Sequence, residues 1–223
     1  MATILHIDTS GSTAAICIAS NASISSYRIN ENRNDHAAFL QPAIIDVLKE
    51  QNISFNQLDA IAVSMGPGSY TGLRVGLSSA KGLCYALNLP LITINSLQII
   101  ALAGALEHHH PKAIYAAMID ARRMEVFTAI YDSNAKEIVA PQALVLQPNS
   151  YESYLIDKKI IFLGDGAEKF SRICTHKNAI FLKSYQPLQA FVNLAFENFN
   201  TNFFANLAYA EPLYVKEFYD NKK

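Results

Sequence analysis

The chain has 223 residues and carries 18 Lys and Arg against 19 Asp and Glu, so its formal net charge at pH 7 is −1. Hydrophobic residues make up 51% of the chain and charged residues only 17%, a composition that excludes intrinsic disorder. The balance of charge also argues against a protein that binds nucleic acid unaided, because affinity for phosphate comes mainly from an excess of Lys and Arg.

Strand and helix patterns alternate along the first half of the chain. Residues 3–8, 13–19 and 23–29 are predicted strands, the first two joined by the turn Thr9-Ser10-Gly11-Ser12. Apolar spacing then changes to that of a helix over residues 35–51, whose first turns Pro42 should kink. Further predicted elements are a buried strand at 59–65, a helix at 70–87, a strand at 89–94 and a helix to about residue 106, with Ser96 as its candidate cap.

The tract Glu107-His-His-His-Pro111 interrupts these patterns and predicts a domain boundary. Three adjacent histidines point in different directions and cannot easily converge on one metal ion, so an exposed turn is expected. Strands follow at residues 113–119 and 125–131, around a turn at 120–124, and then at 136–139 and 159–163. A helix after Gly164-Asp165-Gly166, another at 188–199 and an aromatic tail from Tyr209 to Tyr219 complete an α/β pattern with two similar subdomains.

Five of the nine glycines lie in one segment, at positions 66, 68, 72, 76 and 82. The first two predict a strand-to-helix turn, after which Ser69 or Thr71 caps the helix. Gly72, Gly76 and Ala80 are spaced by four residues and form a stripe without bulk, which predicts the close approach of another backbone. That backbone belongs either to the helix at 35–51 or to a partner subunit. The loop is neither a Walker A motif nor GxGxxG, so it gives only a weak indication of phosphate binding.

Two other turns have both a functional and an ordinary interpretation. The turn Asp8-Thr9-Ser10-Gly11 can hold a nucleotide phosphate, with the carboxylate near Mg²⁺, or can use its side chains for local hydrogen bonds. Arg122 and Arg123 can bind a carboxylate or a phosphate, or can be solvated charges on a turn.

The remaining sequence features are those of a cytoplasmic protein without a metal or other cofactor. Cys17, Cys84 and Cys174 lie far apart in apolar contexts, as expected of buried thiols in a reducing compartment. No signal peptide is predicted at the start, and no apolar run is long enough to span a membrane. HxxxH and HExxH motifs do not occur.

Three motifs occur here in one order: the Asp-Thr-Ser hairpin at residue 8, the Gly-Pro-Gly-Ser-Tyr-Thr-Gly segment at residue 66, and Asp-Ala-Arg-Arg-Met-Glu-Val-Phe at residue 120. With them, the chain resembles the TsaB (YeaZ) family of bacterial tRNA threonylcarbamoyladenosine biosynthesis subunits over essentially its whole length. The resemblance implies an actin-like α/β fold (ASKHA, the sugar kinase/Hsp70 superfamily) of two lobes, each a mixed sheet with flanking helices. The N-terminal lobe would comprise residues 1–106, completed by about 188–223, and a smaller lobe would comprise residues 107–187.

The same resemblance implies a subunit without catalytic residues. Its catalytic relative TsaD transfers threonylcarbamoyl to N6 of adenosine 37 in tRNAs that decode ANN codons, and carries a metal-binding HxxxH. Ser96 and Ile100 stand at the matching positions here, and neither side chain suits a metal. The second phosphate hairpin, glycine-rich in TsaD, is here occupied by the turn at residues 120–124. The alternative on this fold is an ATP-dependent small-molecule kinase or a glycoprotein endopeptidase.

The resemblance also implies that the helices at 71–87 and 35–51 form the surface that binds TsaD. The interface residues expected from it are Leu40, Ile44, Leu48, Gly72, Leu73, Gly76, Leu77 and Ala80. TsaE would join in a ternary complex, tRNA would be reached through the complex, and the same patch would allow a homodimer when TsaD is absent. Asp8, Thr9, Ser10 and Gly11 would form a vestigial nucleotide-binding turn.

Overall fold

A computed structural model describes residues 2–32 and 35–216 of the chain. Its first half builds a five-stranded sheet from β1 (Thr3–Asp8), β2 (Ala14–Ser20), β3 (Ser23–Asn30), β4 (Ala60–Gly66) and β5 (Leu91–Asn95). The strand order is β3-β2-β1-β4-β5, with the first three strands antiparallel and β1, β4 and β5 parallel. Central β1 is buried along most of its length.

The second half repeats this plan. Its sheet comprises β6 (Ile114–Asp120), β7 (Glu125–Tyr131), β8 (Glu137–Val145), β9 (Ile160–Leu163) and β10 (Ala179–Phe181), in the order β10-β9-β6-β7-β8. Here β6 is central, antiparallel to β7 and parallel to β9. The turn between β1 and β2 (the first turn, residues 8–13) and the turn between β6 and β7 (the second turn, residues 120–124) are therefore counterparts in the two lobes.

In the described residues, six helices cover the sheets: α1 (His36–Glu50), α2 (Tyr70–Leu87), α3 (Ser96–Glu107), α4 (Glu152–Leu155), α5 (Ala167–Ser171) and α6 (Pro187–Asn200), with a 3-10 turn at Phe55–Gln57. Helices α1 and α2 pack on one face of the first sheet, and α6 packs on the other. Helix α3 lies between the sheets, because Ile99 and Ala103 join the core of the first lobe while Leu97 and Ala101 join that of the second. None of the helices within the described ranges is long and apolar enough to cross a lipid bilayer.

Most predicted elements occur within two residues of their expected bounds, and β1, α2 and β7 match them. Strand β8 is longer than expected, and α4, β10 and the 3-10 turn were not predicted, because short elements leave little periodicity to recognise. Asn95, and not Ser96, caps α3: its side chain accepts a hydrogen bond from the Leu97 N–H at 2.8 Å. Ser96 is the first helical residue.

The chain returns to the first lobe after α6. Residues 205–216, which we call the strap, contact the edge strand β5 and the end of β4. The Ala205 N–H donates to the Leu91 carbonyl at 2.8 Å and the Leu213 N–H to the Met65 carbonyl at 2.7 Å. Residues 217–223 of the predicted C-terminal segment, with Tyr219 of the aromatic tail, lie outside the described residues.

Candidate functional site

The glycine-rich segment connects β4 to α2 as predicted. Gly66 has a φ of 108°, a conformation that residues with a Cβ rarely adopt. Of the two candidate caps, Ser69 is the one used, since its hydroxyl accepts from the Gly72 N–H at 3.3 Å. The Ser69 N–H in turn donates to the Ser10 carbonyl at 2.7 Å, so the start of α2 is attached to the first turn.

The small-residue stripe of α2 accommodates the first turn, and not a second helix. A Cβ at Gly72 would overlap the carbonyl oxygen of Thr9, and a Cβ at Gly76 would overlap its hydroxyl. Thr9 is fully buried and donates its hydroxyl to the Gly72 carbonyl at 2.7 Å. The structure thus corrects both predicted explanations of the stripe, packing against the helix at 35–51 and packing against a partner.

The eight expected interface residues lie in the core of this chain. The six with larger side chains, Leu40, Ile44, Leu48, Leu73, Leu77 and Ala80, are each at most 3% exposed, and Gly72 and Gly76 are buried as well. Because they contact the first sheet and the first turn, they are not a contact surface for another protein, and that assignment was wrong. The helical period identified the shared face correctly but gave no information on what covers it.

The opposite side of α1 and α2 is the exposed one. We call it the outer helical face, with Gln41, Ile45 and Lys49 from α1 and Arg74, Ser78, Gly82 and Tyr85 from α2. Ile45 is 43% exposed and Tyr85 is 84% exposed. A Cβ at Gly82 would meet no atom within 4 Å. Gln41 donates to the Ser79 hydroxyl at 3.1 Å and joins the two helices.

In the first turn, the Asp8 and Ser10 side chains form local hydrogen bonds that stabilise the turn. One oxygen of Asp8, Oδ1, accepts hydrogen bonds from the Ser10 N–H at 2.9 Å, from the Ser10 hydroxyl at 2.7 Å and from the Ser64 hydroxyl at 2.6 Å. This pattern favours the ordinary interpretation of the turn. Thr9 faces α2 and is not available to a phosphate, which corrects its place among the four vestigial nucleotide-binding residues. The other three, Asp8, Ser10 and Gly11, line the cavity between the lobes.

In the second turn, a lysine from α5 holds the backbone. Lys169 Nζ donates to the Asp120 carboxylate at 2.9 Å, to the Arg123 carbonyl at 2.8 Å and to the Glu125 carbonyl at 2.9 Å. The Asp120 N–H donates to Asp165 Oδ1 at 2.8 Å. Sequence reasoning missed Lys169, since nothing in the local pattern connects α5 with a turn more than forty residues earlier.

A cavity of about 690 Å³ lies between the two lobes. Its lining includes three carboxylates, from Asp8, Glu31 and Asp165, and a larger apolar part: Ile24, Tyr27, Ile29, Ile99, Ile100, Ile119, Leu188 and Phe191. No Lys, Arg or His is among the lining residues in the part of the chain that the structure describes. Burial, followed by the charges of Asp165 and Asp8, raises the pKa of the Tyr185 phenol in this cavity to about 12.

Ser96 and Ile100, the two positions that the sequence singled out for their lack of metal-binding side chains, both line this cavity. They lie one turn apart on α3. The Ser96 hydroxyl is buried and has no hydrogen-bond partner among the described residues. Within residues 2–32 and 35–216, no three His, Cys, Asp or Glu side chains are grouped as metal ligands.

The strap connects the outer helical face with the second turn. Arg74 of α2 lies over the Tyr70 ring at 4.0 Å and donates to the Tyr214 hydroxyl at 3.1 Å. Two residues further on, Lys216 pairs with Glu125 of β7 at 2.8 Å. The strap was predicted only as an aromatic tail, because its role depends on contacts with both lobes.

Two sheets of the same strand order, with a cavity between them, define a two-lobed protein of the actin-like class. Solved structures share this fold over nearly the whole chain. One, a protein with similarity to peptidase YeaZ from Pseudomonas aeruginosa, has a TM-score of 0.82 and 24% identity, with 97% of this chain and 100% of that chain covered. YeaZ from Pseudomonas aeruginosa has a TM-score of 0.78 and 25% identity, with 96% and 100% covered.

Sequence relatives give the family. The model of the family TsaD: tRNA N6-adenosine threonylcarbamoyltransferase matches residues 29–216. The tRNA threonylcarbamoyladenosine biosynthesis protein TsaB of Bacillus subtilis is 32% identical over 73% of this chain and 70% of its own length. That of Buchnera aphidicola subsp. Baizongia pistaciae is 30% identical over 96% and 92%. The chain therefore belongs to the TsaB/TsaD family of tRNA threonylcarbamoyladenosine biosynthesis proteins, which confirms the resemblance read from its motifs.

The extent of the matches differs between the two kinds of relative. The tRNA N6-adenosine threonylcarbamoyltransferase of Clostridioides difficile is 38% identical, but over only 38% of this chain and 25% of its own length. The Buchnera TsaB protein corresponds to the chain almost from end to end.

Proposed function

We propose that the chain is a non-catalytic subunit that binds TsaD and activates threonylcarbamoyl transfer to N6 of adenosine 37 in tRNAs that decode ANN codons. TsaE would join the pair in a ternary complex, and the process belongs to the cytoplasm. The outer helical face carries this proposal, because it combines exposed apolar side chains with a helix surface free of bulk.

Three residues give the outer helical face the character of a protein interface. Tyr85 and Ile45 expose apolar area that the fold itself leaves uncovered, and aromatic residues are enriched in protein interfaces. Between them, Gly82 leaves open space on α2, where a helix of a partner can approach the backbone closely. This face replaces the buried one as the expected contact surface for TsaD.

The lining of the cavity supports a non-catalytic role. A kinase needs cations or a bound metal to neutralise the phosphates of ATP. The lining contains no Lys, Arg or His among the described residues, and one oxygen of its Asp8 carboxylate already accepts three hydrogen bonds from Ser10 and Ser64. Ser96 and Ile100 are poor metal ligands at the positions where the resemblance to TsaD implies histidines. Activation would then come from the contact with TsaD and not from chemistry in this cavity, and no cofactor is required.

The first test replaces residues of the outer helical face. Ile45→Asp places a charge in the proposed interface, and Gly82→Leu fills the open space on α2. We expect each change to weaken the affinity for TsaD at least ~10-fold, as measured by titration calorimetry. The matched control is Ile156→Asp, because Ile156 is also exposed (66%) but lies in the second lobe.

Each result of this test has a definite meaning. Wild-type affinity in both variants would contradict the proposed surface, while weaker binding of the Ile156 variant would move the interface to the second lobe. Sedimentation of the chain alone shows whether the same changes also abolish a homodimer, as expected if TsaD and a second copy use one surface.

The second test addresses the activity. In a mixture of tRNA, TsaD, TsaE and threonylcarbamoyl-AMP, we expect modification to require this chain and to be restored by adding it back. Modification that proceeds equally without the chain would contradict the proposal. ATP hydrolysis by the isolated chain would favour the kinase alternative instead.

A further inference from the structure

The second turn holds two arginines in an unusual backbone conformation. Arg122 has a φ of 71° and Arg123 a φ of 47°, both in the left-handed region that glycine, Asn and Asp favour. Both residues are exposed, so packing in the core does not account for them. The same conformation occurs at Asn21 and Ala22 in the turn between β2 and β3, so it accompanies hairpin turns in this chain. At the second turn it leaves both arginine side chains outside the core.

The turn is held in place before any ligand arrives. Lys169, whose side chain is only 13% exposed, donates three hydrogen bonds to it, one of them to the Arg123 carbonyl. The Glu125 N–H donates to the Arg122 carbonyl at 3.1 Å, and the Ala121 N–H donates to the Glu125 carbonyl at 3.1 Å. A backbone fixed in this way loses little conformational entropy when its side chains bind a partner.

Two of the three carboxylates near the turn have cations of their own, and the third, Asp165, accepts the Asp120 N–H. Asp120 pairs with Lys169 at 2.9 Å, and Glu125 pairs with Lys216 at 2.8 Å. Neither guanidinium of Arg122 and Arg123 has an ion pair or a hydrogen bond with another described residue. Among residues 2–32 and 35–216, the two positive charges therefore have no counter-charge, and both residues are exposed.

We propose that Arg122 and Arg123 form a contact for the phosphodiester backbone of RNA. Guanidinium groups match phosphate oxygens in shape and charge, and two adjacent ones on a rigid turn present a double contact. The strap connects the start of α2 with the strand that follows the turn, since Tyr214 contacts Arg74 and Lys216 contacts Glu125. The inference rests on the proposed function, in which this chain and TsaD handle one tRNA together.

This contact is compatible with a net charge of −1. Two arginines add a local contribution to an affinity that the complex as a whole supplies, and they give the isolated chain only weak binding that is measurable at low ionic strength. The expected signature is thus a change in the affinity of the complex and in its dependence on salt.

The test measures binding of labelled tRNA to the complex of the full chain with TsaD, by fluorescence anisotropy over a series of salt concentrations. For the double variant Arg122→Gln/Arg123→Gln, we expect affinity to fall about 10-fold, and the slope of log affinity against log salt to decrease by about 1 to 2. The matched control is Lys158→Gln/Lys159→Gln, two adjacent exposed cations at the opposite end of the second sheet, which should leave both quantities unchanged.

The affinity for TsaD without tRNA separates the two hypotheses. If wild-type and variant chains bind TsaD equally and the complexes bind tRNA equally, the RNA contact is wrong and the proposed function stands. If the variant instead loses affinity for TsaD, the turn is a protein contact and the inference is overturned. If the wild-type chain does not bind TsaD, the proposed function fails. The inference is then decided by tRNA binding to the chain alone at low ionic strength, where the arginine variant must bind more weakly than the lysine control.

Discussion

The first and second turns occupy the same place in two lobes of the same design, yet they are built from different interactions. The first turn is held by packing: Thr9 is fully buried against α2, where Gly72 and Gly76 leave space for it. The second turn is held by charge, since Lys169 from α5 joins one carboxylate and two carbonyls while two arginines remain in solvent.

This difference shows how a repeated unit can divide two tasks. A turn embedded in the core contributes to stability and positions α2, the helix that presents the outer helical face. The second turn is fixed through its backbone and Asp120 by Lys169, so its arginine side chains stay available for a ligand. Substitutions in the first turn should therefore mainly lower the stability of the chain. Substitutions of exposed side chains in the second turn should mainly weaken ligand binding.

The largest effect is expected for Gly72→Leu. The added side chain must displace the Thr9 carbonyl, which belongs to the backbone and cannot rotate away. We expect the free energy of unfolding to fall by more than about 3 kcal/mol, because overpacking a rigid core commonly costs 1–3 kcal/mol and a backbone overlap costs more. Urea denaturation followed by circular dichroism measures the change. Wild-type stability in this variant would show that the first turn is not held by packing against α2.

A smaller loss is expected for Lys169→Met in the second turn. Three acceptors lose a charged donor, and hydrogen bonds of this kind contribute on the order of 1 kcal/mol each after solvent exchange, so we expect a loss of about 2–3 kcal/mol in the same measurement. Arg172→Met is the control, because its pair with Glu168 is exposed (72% and 75%) and such pairs contribute at most about 1 kcal/mol. Equal losses in the two variants would mean that Lys169 does not support the turn.

The strands that lead into the two turns differ at the second residue before the aspartate. His6 precedes Asp8 by two residues, as Met118 precedes Asp120, and both are fully buried. Burial lowers the pKa of His6 from 6.5 to about 3. Between these values the unfolded chain binds a proton that the folded chain does not, so stability is lost as the pH falls below about 6.5.

This difference predicts how stability depends on pH. Between pH 7 and pH 5, His6 should remove about 2 kcal/mol from the free energy of unfolding. The variant His6→Met, which copies the second lobe, should lack this component and show a correspondingly flatter profile in urea denaturation at each pH. Parallel profiles for wild type and variant would contradict a neutral buried His6.

The smallest effect compares two glycines of one helix. Gly82→Ala should stabilise the chain by up to about 1 kcal/mol, because alanine is the better helix former and nothing lies near its Cβ. Gly72→Ala, on the opposite face, should destabilise it. Thermal unfolding of the pair gives the signs, and two changes of equal sign would contradict the assignment of inner and outer faces.

Much of this fold follows from local sequence, and α2 shows why. Its predicted bounds agree with the structure, in which Ser69 caps one end and Asn88, with a φ of 54°, ends the other. The partner of its glycine stripe was not predictable, since Thr9 lies more than sixty residues earlier and comes into contact only through the order of the strands.

The candidate site was predictable in its parts and not in their arrangement. The motif around Arg122 was identified, and its functional and ordinary interpretations were both left open. Lys169 gave no signal, because a single lysine on a short amphipathic helix resembles any solvated charge. The cavity combines residues from distant segments of both lobes, so no local pattern could reveal it.

Helix α3 makes the two lobes one thermodynamic unit. It supplies Ile99 and Ala103 to one hydrophobic core and Leu97 and Ala101 to the other, so neither lobe completes its interior while the other is unfolded. We therefore expect a single unfolding transition in calorimetry, with equal calorimetric and van't Hoff enthalpies. A shared core of this kind resists relative movement of the lobes. We therefore expect binding at the outer helical face to affect the position of the second turn through movement of the whole chain, and not through movement between the lobes.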